Sequence, residues 1–280
     1  MTTIKIITDG SCDLPKKLVE ELHISIVPLS VHFGEECMPP HMELCDFYAK
    51  MKAESELPKT SSPSPLQFLA TYQEALAGQD ILVLCLSSVL SSTYNHAMMA
   101  KDMLLDEGFT GKIEVIDSKT ASLGLGVLVY KAAKMAEGGL PFAEIVEAMH
   151  HSVSTSGTYF FLDTLENVIK GGRLDRVRGA VASVLNIKLL MKASDEGSVE
   201  VIEKIRGTQQ ALKRLIEKVG EARHDFEKDV IAVAHSNCEE RARAVLNQLL
   251  EKYPFRNVLF SNMGTVIGTY AGEGGVLIAY

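Results

Sequence analysis

Residues 81–93 read ILVLCLSSVLSST: six apolar residues, then five hydroxyl-bearing ones among the next seven. An unbroken apolar run of that length fits a strand buried on both faces, and the helix-period pattern over 93–105 that follows supplies the cover. The same alternation surrounds it. Strands are predicted at 4–8, 24–33 and 113–116, and helices at 44–52, 65–76 and 123–136, with a further helix over 143–151 set off by Gly138, Gly139 and Pro141. Short strands alternating with longer helices define an α/β fold with a mainly parallel sheet flanked by helices.

The texture changes near residue 155. A strand at 158–162 and a basic helical region lead to two adjacent apolar runs, 187–193 and 199–205, joined by Asp195-Glu196-Gly197 as a hairpin. A helix from Thr208, a strand at 230–234, a helix at 239–252 and a strand at 258–261 complete a second, mixed α/β unit. Two domains are therefore expected, 1–155 and 156–280, the first carrying the polar loops and the second completing whatever pocket they face.

Composition narrows the class. With 46% hydrophobic residues over 280 positions, the chain can bury a sizeable core. Its apolar runs are too short to span a bilayer, and the first nine residues do not resemble a secretion signal, so a cytoplasmic protein is expected. The five cysteines form no CxxC pair and fit reduced thiols. A formal net charge of -8 argues against nucleic acid as a partner. Residues 170–192 break that trend, with Lys170, Arg173, Arg176, Arg178, Lys188 and Lys192 against Asp175 alone, which makes them a candidate docking surface for an acidic partner or a solvated face.

Three predicted strands end in small polar loops: Thr8-Asp9-Gly10-Ser11, then Ser87-Ser88 with Ser91-Ser92-Thr93, and Asp117-Ser118. A fourth hydroxyl-rich stretch, KTSSPSPL at 59–66, precedes the helix at 65–76, where Ser64, Pro65 and Gln67 match a capping box with proline at N1. Thr60, Ser61 and Ser62 remain in the turn ahead of it. Ser91 or Ser92 is expected to cap the following helix in the same way, and Asp13, before Leu14-Pro15, to cap another. Ligands in open α/β sheets sit beyond the carboxyl ends of the strands, so these loops can converge on one crevice suited to a carboxylate or phosphate.

Other chemistry is poorly supported. There is no G-x-S-x-G, Walker A or H-E-x-x-H motif. Cys37, His41 and Cys45 recur every four residues, but Pro39 and Pro40 interrupt the helix and no fourth ligand is evident, so no metal site is expected. Gly124 and Gly126 read as close packing before a dinucleotide cradle, and His235 as a core or surface histidine. Met98, Met99 and Met103 can pack a core or line a tunnel for a flexible ligand.

Taken in order, these loops resemble the DegV family of bacterial fatty-acid-binding proteins. The family's D-S-[TS]-x-D-L-P opening corresponds to residues 9–15, its T-S-Q-P-S turn to 60–64, and its S-S-x-L-S-G-T-Y segment to 87–94. Val115 to Ser118, Lys170 to Leu174 and Leu185 to Lys188 add further matches. The resemblance implies two α/β domains holding one long-chain fatty acid. Its carboxylate would be bound by Thr60, Ser61, Ser91, Ser92 and Tyr270. It also implies a non-catalytic carrier without cofactor that presents the acid to a separate ATP-dependent fatty acid kinase for acyl phosphate formation in phospholipid synthesis, through Arg173, Arg176 and Arg206. A monomer is expected, without stable membrane insertion and with room for transient membrane contact during lipid exchange. Departures from the pattern include Ser62 in place of a glutamine, Ser92 in place of a glycine and Tyr270 in place of a histidine. The alternatives are a hydrolase or phosphotransferase using Asp9 or Asp117 with the serine loop, and a sensor of some other carboxylate or lipid.

Overall fold

The computed structural model describes residues 4–39, 42–75, 78–174, 187–222, 225–227 and 229–280. Its first sheet is parallel throughout, with β1 (Ile4–Asp9) between β2 (Ser25–Val27) and β6 (Asp80–Cys85), and β7 (Ile113–Asp117) outside β6. The apolar run at 81–86 sits in the middle of this layer. Ile81, Val83 and Cys85 join the core beneath α3 (Pro65–Gln73) and α4 (Thr93–Asp106), while Leu82, Leu84 and Leu86 join the core on the opposite face. The two-residue side-chain period of a strand explains both allegiances.

That opposite face is covered by α5 (Leu123–Glu137), which is buried from Leu123 through Val129 and again at Ala132, Ala133 and Ala136. A helix apolar on nearly all sides needs neighbours on all sides. It packs on β1 and β6 of the first sheet and also on β11 (Val230–His235) and β13 (Val276–Ala279) of the second. Gly126 makes the approach to the first sheet close, because a Cβ there would lie 2.7 Å from the Cys12 carbonyl oxygen.

The second sheet runs β10 (Val199–Arg206), β9 (Ile187–Ala193), β8 (Thr158–Phe161), β13, β11, β12 (Asn257–Asn262), and its only parallel neighbours are β11 and β12. Its far face is covered by α8 (Thr208–Ala222) and α9 (Glu239–Lys252). The layers therefore alternate helix, sheet, helix, sheet, helix. The expected domain cut near residue 155 falls between α6 (Phe142–Thr155) and β8, and one buried cluster runs from Ile4 across that point to Ala279.

The fold differs from expectation in three respects. Residues 24–33 are two strands, since Pro28 cannot donate to a ladder and the chain turns from β2 into β3 (Ser30–Phe33). β3 heads a small antiparallel sheet with β4 (Glu36–Cys37) and β5 (Lys59–Ser61), so Thr60 and Ser61 lie in an edge strand opposite Val31 and Ser30. Short segments α1 (Lys16–Glu21), α7 (Glu166–Lys170), α10 (Thr265–Ala271) and the central strand β13 carried too little pattern to be assigned from sequence.

Candidate functional site

The carboxyl ends of β1, β6 and β7 come together as the loop pattern predicts, and their polar groups are largely consumed in fixing the serine loop. Asp9 is fully buried and accepts the Leu86 amide at 2.7 Å and both the amide and hydroxyl of Ser11 at 2.9 and 2.6 Å. Burial pushes its carboxyl up, against the pull of those hydrogen bonds. Asp117 accepts the amides of Ser88 and Lys119. Ser87 sends its hydroxyl 2.7 Å across to the Gly197 carbonyl at the tip of the β9–β10 hairpin.

Beyond this framework lies a cavity between the two sheets. Its walls are Leu86 and Leu90 from the serine loop, Phe160 and Leu162 around β8, Val168 of α7, and Met263, Ile267 and Leu277 from the last third of the chain. At one end stand Thr60, Tyr270 and Arg173, and among the described residues Arg173 is the only charged one in the lining. Thr60 Oγ1 and Tyr270 Oη are 2.5 Å apart. The Arg173 guanidinium lies over the Tyr270 ring, 4.8 Å from its centre, and donates to the carbonyls of Leu90 and Gly171. Among the described residues no carboxylate is paired with it. The same three residues also line a polar cleft outside, which includes Lys59 and Lys170.

Ser91 completes this end. Its hydroxyl lies 2.9 Å from Thr93 Oγ1 and accepts the Thr93 amide, so it serves the first turn of α4 from within the cavity lining. Ser92 holds the N-cap position of α4 without capping it, and its hydroxyl meets Ser62 Oγ at 2.7 Å on the exposed surface. Ser61 is likewise exposed, 3.4 Å from His32 Nε2. Thr60, Ser91 and Tyr270 are thus brought together in the cavity, and Ser61 and Ser92 lie just outside it. Arg206 is exposed at the end of β10, and Arg176 lies outside the described residues. Ser64 forms the expected capping box with Gln67.

Several other expectations need correction or are resolved. Asp13 does not cap a helix: Pro15 holds the N-cap position of α1, and Asp13, with φ 51°, accepts hydrogen bonds from Ser122 Oγ at 2.6 Å and the Gly264 amide at 2.8 Å. Removal from water pushes its carboxyl up to about 7, opposed by those two bonds and reinforced by Asp9. Met98 and Met103 pack against the core of the first sheet, and Met99 is exposed, so the methionine that lines the cavity is Met263, unremarked in the sequence. His235 is a core residue whose Nδ1 accepts the Cys238 amide, and burial lowers its pKa. Cys37 and Cys45 are free and exposed, and no metal-binding cluster occurs among the described residues, which exclude His41. Among the described residues no helix is long and apolar enough to cross a membrane.

Two sheets thus enclose a largely apolar cavity in which the Arg173 guanidinium, the one charged group among the described lining residues, stands with the Thr60, Ser91 and Tyr270 hydroxyls, an arrangement chemically suited to an amphipathic anion. The model of the DegV family, described as uncharacterised, matches residues 3–280, and the chain belongs to that family. A DegV domain-containing protein of Clostridium perfringens is 31% identical over 100% of this chain and 98% of its own. Among solved structures, a DegV-family protein of Ruminococcus gnavus with vaccenic acid superposes with a TM-score of 0.93, at 27% identity and with 100% of both chains covered. The Fatty Acid Kinase (Fak) B3 protein of Streptococcus pneumoniae, loaded with linoleic acid, superposes with a TM-score of 0.86, at 26% identity over 100% of this chain and 99% of its own.

Proposed function

We propose that the chain binds one long-chain fatty acid in the cavity and presents its carboxylate to a separate ATP-dependent fatty acid kinase, which forms the acyl phosphate. The observation that carries this reading is the polarity of the cavity: a lining that is mostly apolar and, among the described residues, charged only at Arg173, which stands beside Thr60, Ser91 and Tyr270. The fatty acids held by two relatives of the same fold support it.

The energetics divide between tail and head. Each buried CH₂ contributes about 0.8 kcal/mol, so a tail of about fifteen contributes on the order of 12 kcal/mol before ordering costs. The head group needs orientation more than affinity. Hydroxyl donors from Thr60, Ser91 and Tyr270 orient the carboxylate without burying it in a tight ion pair, which leaves an oxygen free to attack a phosphoryl group. Ser61 and Ser92 brace the flanking loops in this reading. Arg173 at the cavity mouth and Arg206 on the surface supply positive charge for an approaching partner.

Organic extraction of gently purified protein, followed by mass spectrometry, should recover close to one long-chain fatty acid per chain. Protein that yields no lipid and takes up none from a defined set of fatty acids overturns the proposal.

A further inference from the structure

The cavity has a second end. Thr120, Thr158 and Ala193 line it from within and also line a separate cleft on the outside, together with Ser118, Ser154 and Asp195. That outer cleft shares no residue with the one beside Thr60, Arg173 and Tyr270, so the cavity is bounded at two distinct places by polar clefts. One side-chain layer separates it from the outer cleft here. Thr120 Oγ1 donates to Thr158 Oγ1 at 2.9 Å, and both residues are buried.

The packing around this pair shows that its size matters. Gly124 lies directly behind it, and a Cβ at that position would come within 2.3 Å of Thr120 Oγ1 and 2.4 Å of Thr158 Oγ1. The two threonines therefore occupy space that only a glycine leaves open. Thr158 is held in β8 opposite Ala279, and Thr120 follows β7, so the wall joins the two sheets. Among the described residues no charged side chain lines the cavity at this end, whereas Arg173 marks the other.

Resting on the fatty-acid reading above, we infer that the Thr120–Thr158 pair is the tail stop of the cavity and sets the length of acyl chain the protein accepts. A chain whose carboxylate is fixed near Thr60 and Tyr270 extends toward this wall. Once its terminal methyl meets the pair, a further methylene has to displace the threonines or fold back. Truncating a threonine removes the barrier and opens the cavity toward the outer cleft, so chains previously too long are accommodated.

The test loads the full-length protein with an equimolar mixture of straight-chain saturated fatty acids from dodecanoic to docosanoic acid and measures the bound distribution by mass spectrometry. Thr158→Ala and Thr120→Ala should each shift it toward longer chains, by up to roughly fourfold for each further methylene buried. Thr158→Val, which keeps the volume and loses the hydrogen bond, should retain the wild-type profile, and Thr158→Leu should shift it toward shorter chains. Melting curves of each variant exclude unfolding as the cause, and the valine and leucine forms, suited to a strand, keep the test open where an alanine form fails to fold. An unchanged distribution in both the alanine and leucine variants overturns the tail stop while leaving fatty-acid binding intact. Wild-type protein that binds none of the mixture overturns the binding proposal itself.

Discussion

Tyr270 Oη stands 2.5 Å from Thr60 Oγ1 although 210 residues separate them in the chain. The contact joins α10 to the edge strand β5, so the hydroxyl end of the cavity is assembled from opposite ends of the sequence. Neither residue alone marks a site. Their pairing beneath the Arg173 guanidinium does, because it gathers neutral donors and a positive charge at one end of a largely apolar cavity.

Replacing Thr60 and Ser91 together with alanine should weaken fatty-acid binding by about 1–3 kcal/mol, the range for hydrogen bonds to a charged acceptor. The fold should survive, since Thr60 sits in a short edge strand and Ser91 in a loop. Fatty-acid titrations and thermal melts on the same samples check both halves. Equal affinity in wild type and variant would place the carboxylate elsewhere.

Arg206→Glu should keep its bound lipid and slow phosphorylation by a fatty acid kinase, because the residue is exposed at the end of β10 and contributes nothing to the cavity lining. If complementary charge steers the encounter, raising the salt concentration should slow the wild-type reaction and narrow the gap between the two proteins. Arg173→Glu is expected to lower both lipid retention and turnover, since the new carboxylate would face the fatty-acid carboxylate at the cavity mouth. Full turnover by the Arg206 variant would remove that residue from the docking surface.

How far the sequence led follows from where its pattern was strong. The apolar run at 81–86 and the helix-period segments fixed the first sheet and its cover, and the 187–205 hairpin and the helix over 239–252 emerged with their bounds nearly unchanged. Strand β13, central to the second sheet, has only four residues and follows Gly274 and Gly275, so no period could develop. Thr60 and Ser61 read as a turn because hydroxyls favour turns, whereas pairing with β3 makes them an edge strand. Asp13 shows the same limit. Its polar side chain before Leu14-Pro15 matches a cap, yet its partners Ser122 and Gly264 are reached only through the tertiary fold.

Gly126→Ala should destabilise the protein by about 1–3 kcal/mol, the usual cost of overpacking, because the added methyl meets the Cys12 backbone carbonyl and not a side chain that can rotate away. Denaturant unfolding provides the measurement. A variant as stable as wild type would mean that α5 can move off the first sheet at no cost.

Asp13 gives the fold a pH dependence whose sign can be worked out. Its carboxyl is pushed up to about 7 in the folded protein, chiefly by removal from water, while in the unfolded chain it titrates near the ordinary aspartate value. Between those two values the folded state holds a proton that the unfolded state has released. Stability from this group is therefore fully present below the unfolded value, declines as pH rises toward 7, and is flat above it. Asp9, shifted in the same direction by burial, adds to the trend. Asp13→Asn removes the titration and keeps the geometry: asparagine tolerates the left-handed backbone at φ 51°, its carbonyl accepts the Gly264 amide, and its NH₂ donates to Ser122 once that hydroxyl rotates. Urea unfolding at a series of pH values from 5 to 8 should show wild type losing stability up to about pH 7 and levelling off above it, and the variant losing less, with the variant's relative advantage greatest at the alkaline end. Parallel curves for the two proteins would mean that Asp13 keeps an ordinary carboxylate pKa in the folded state and takes no part in the pH response.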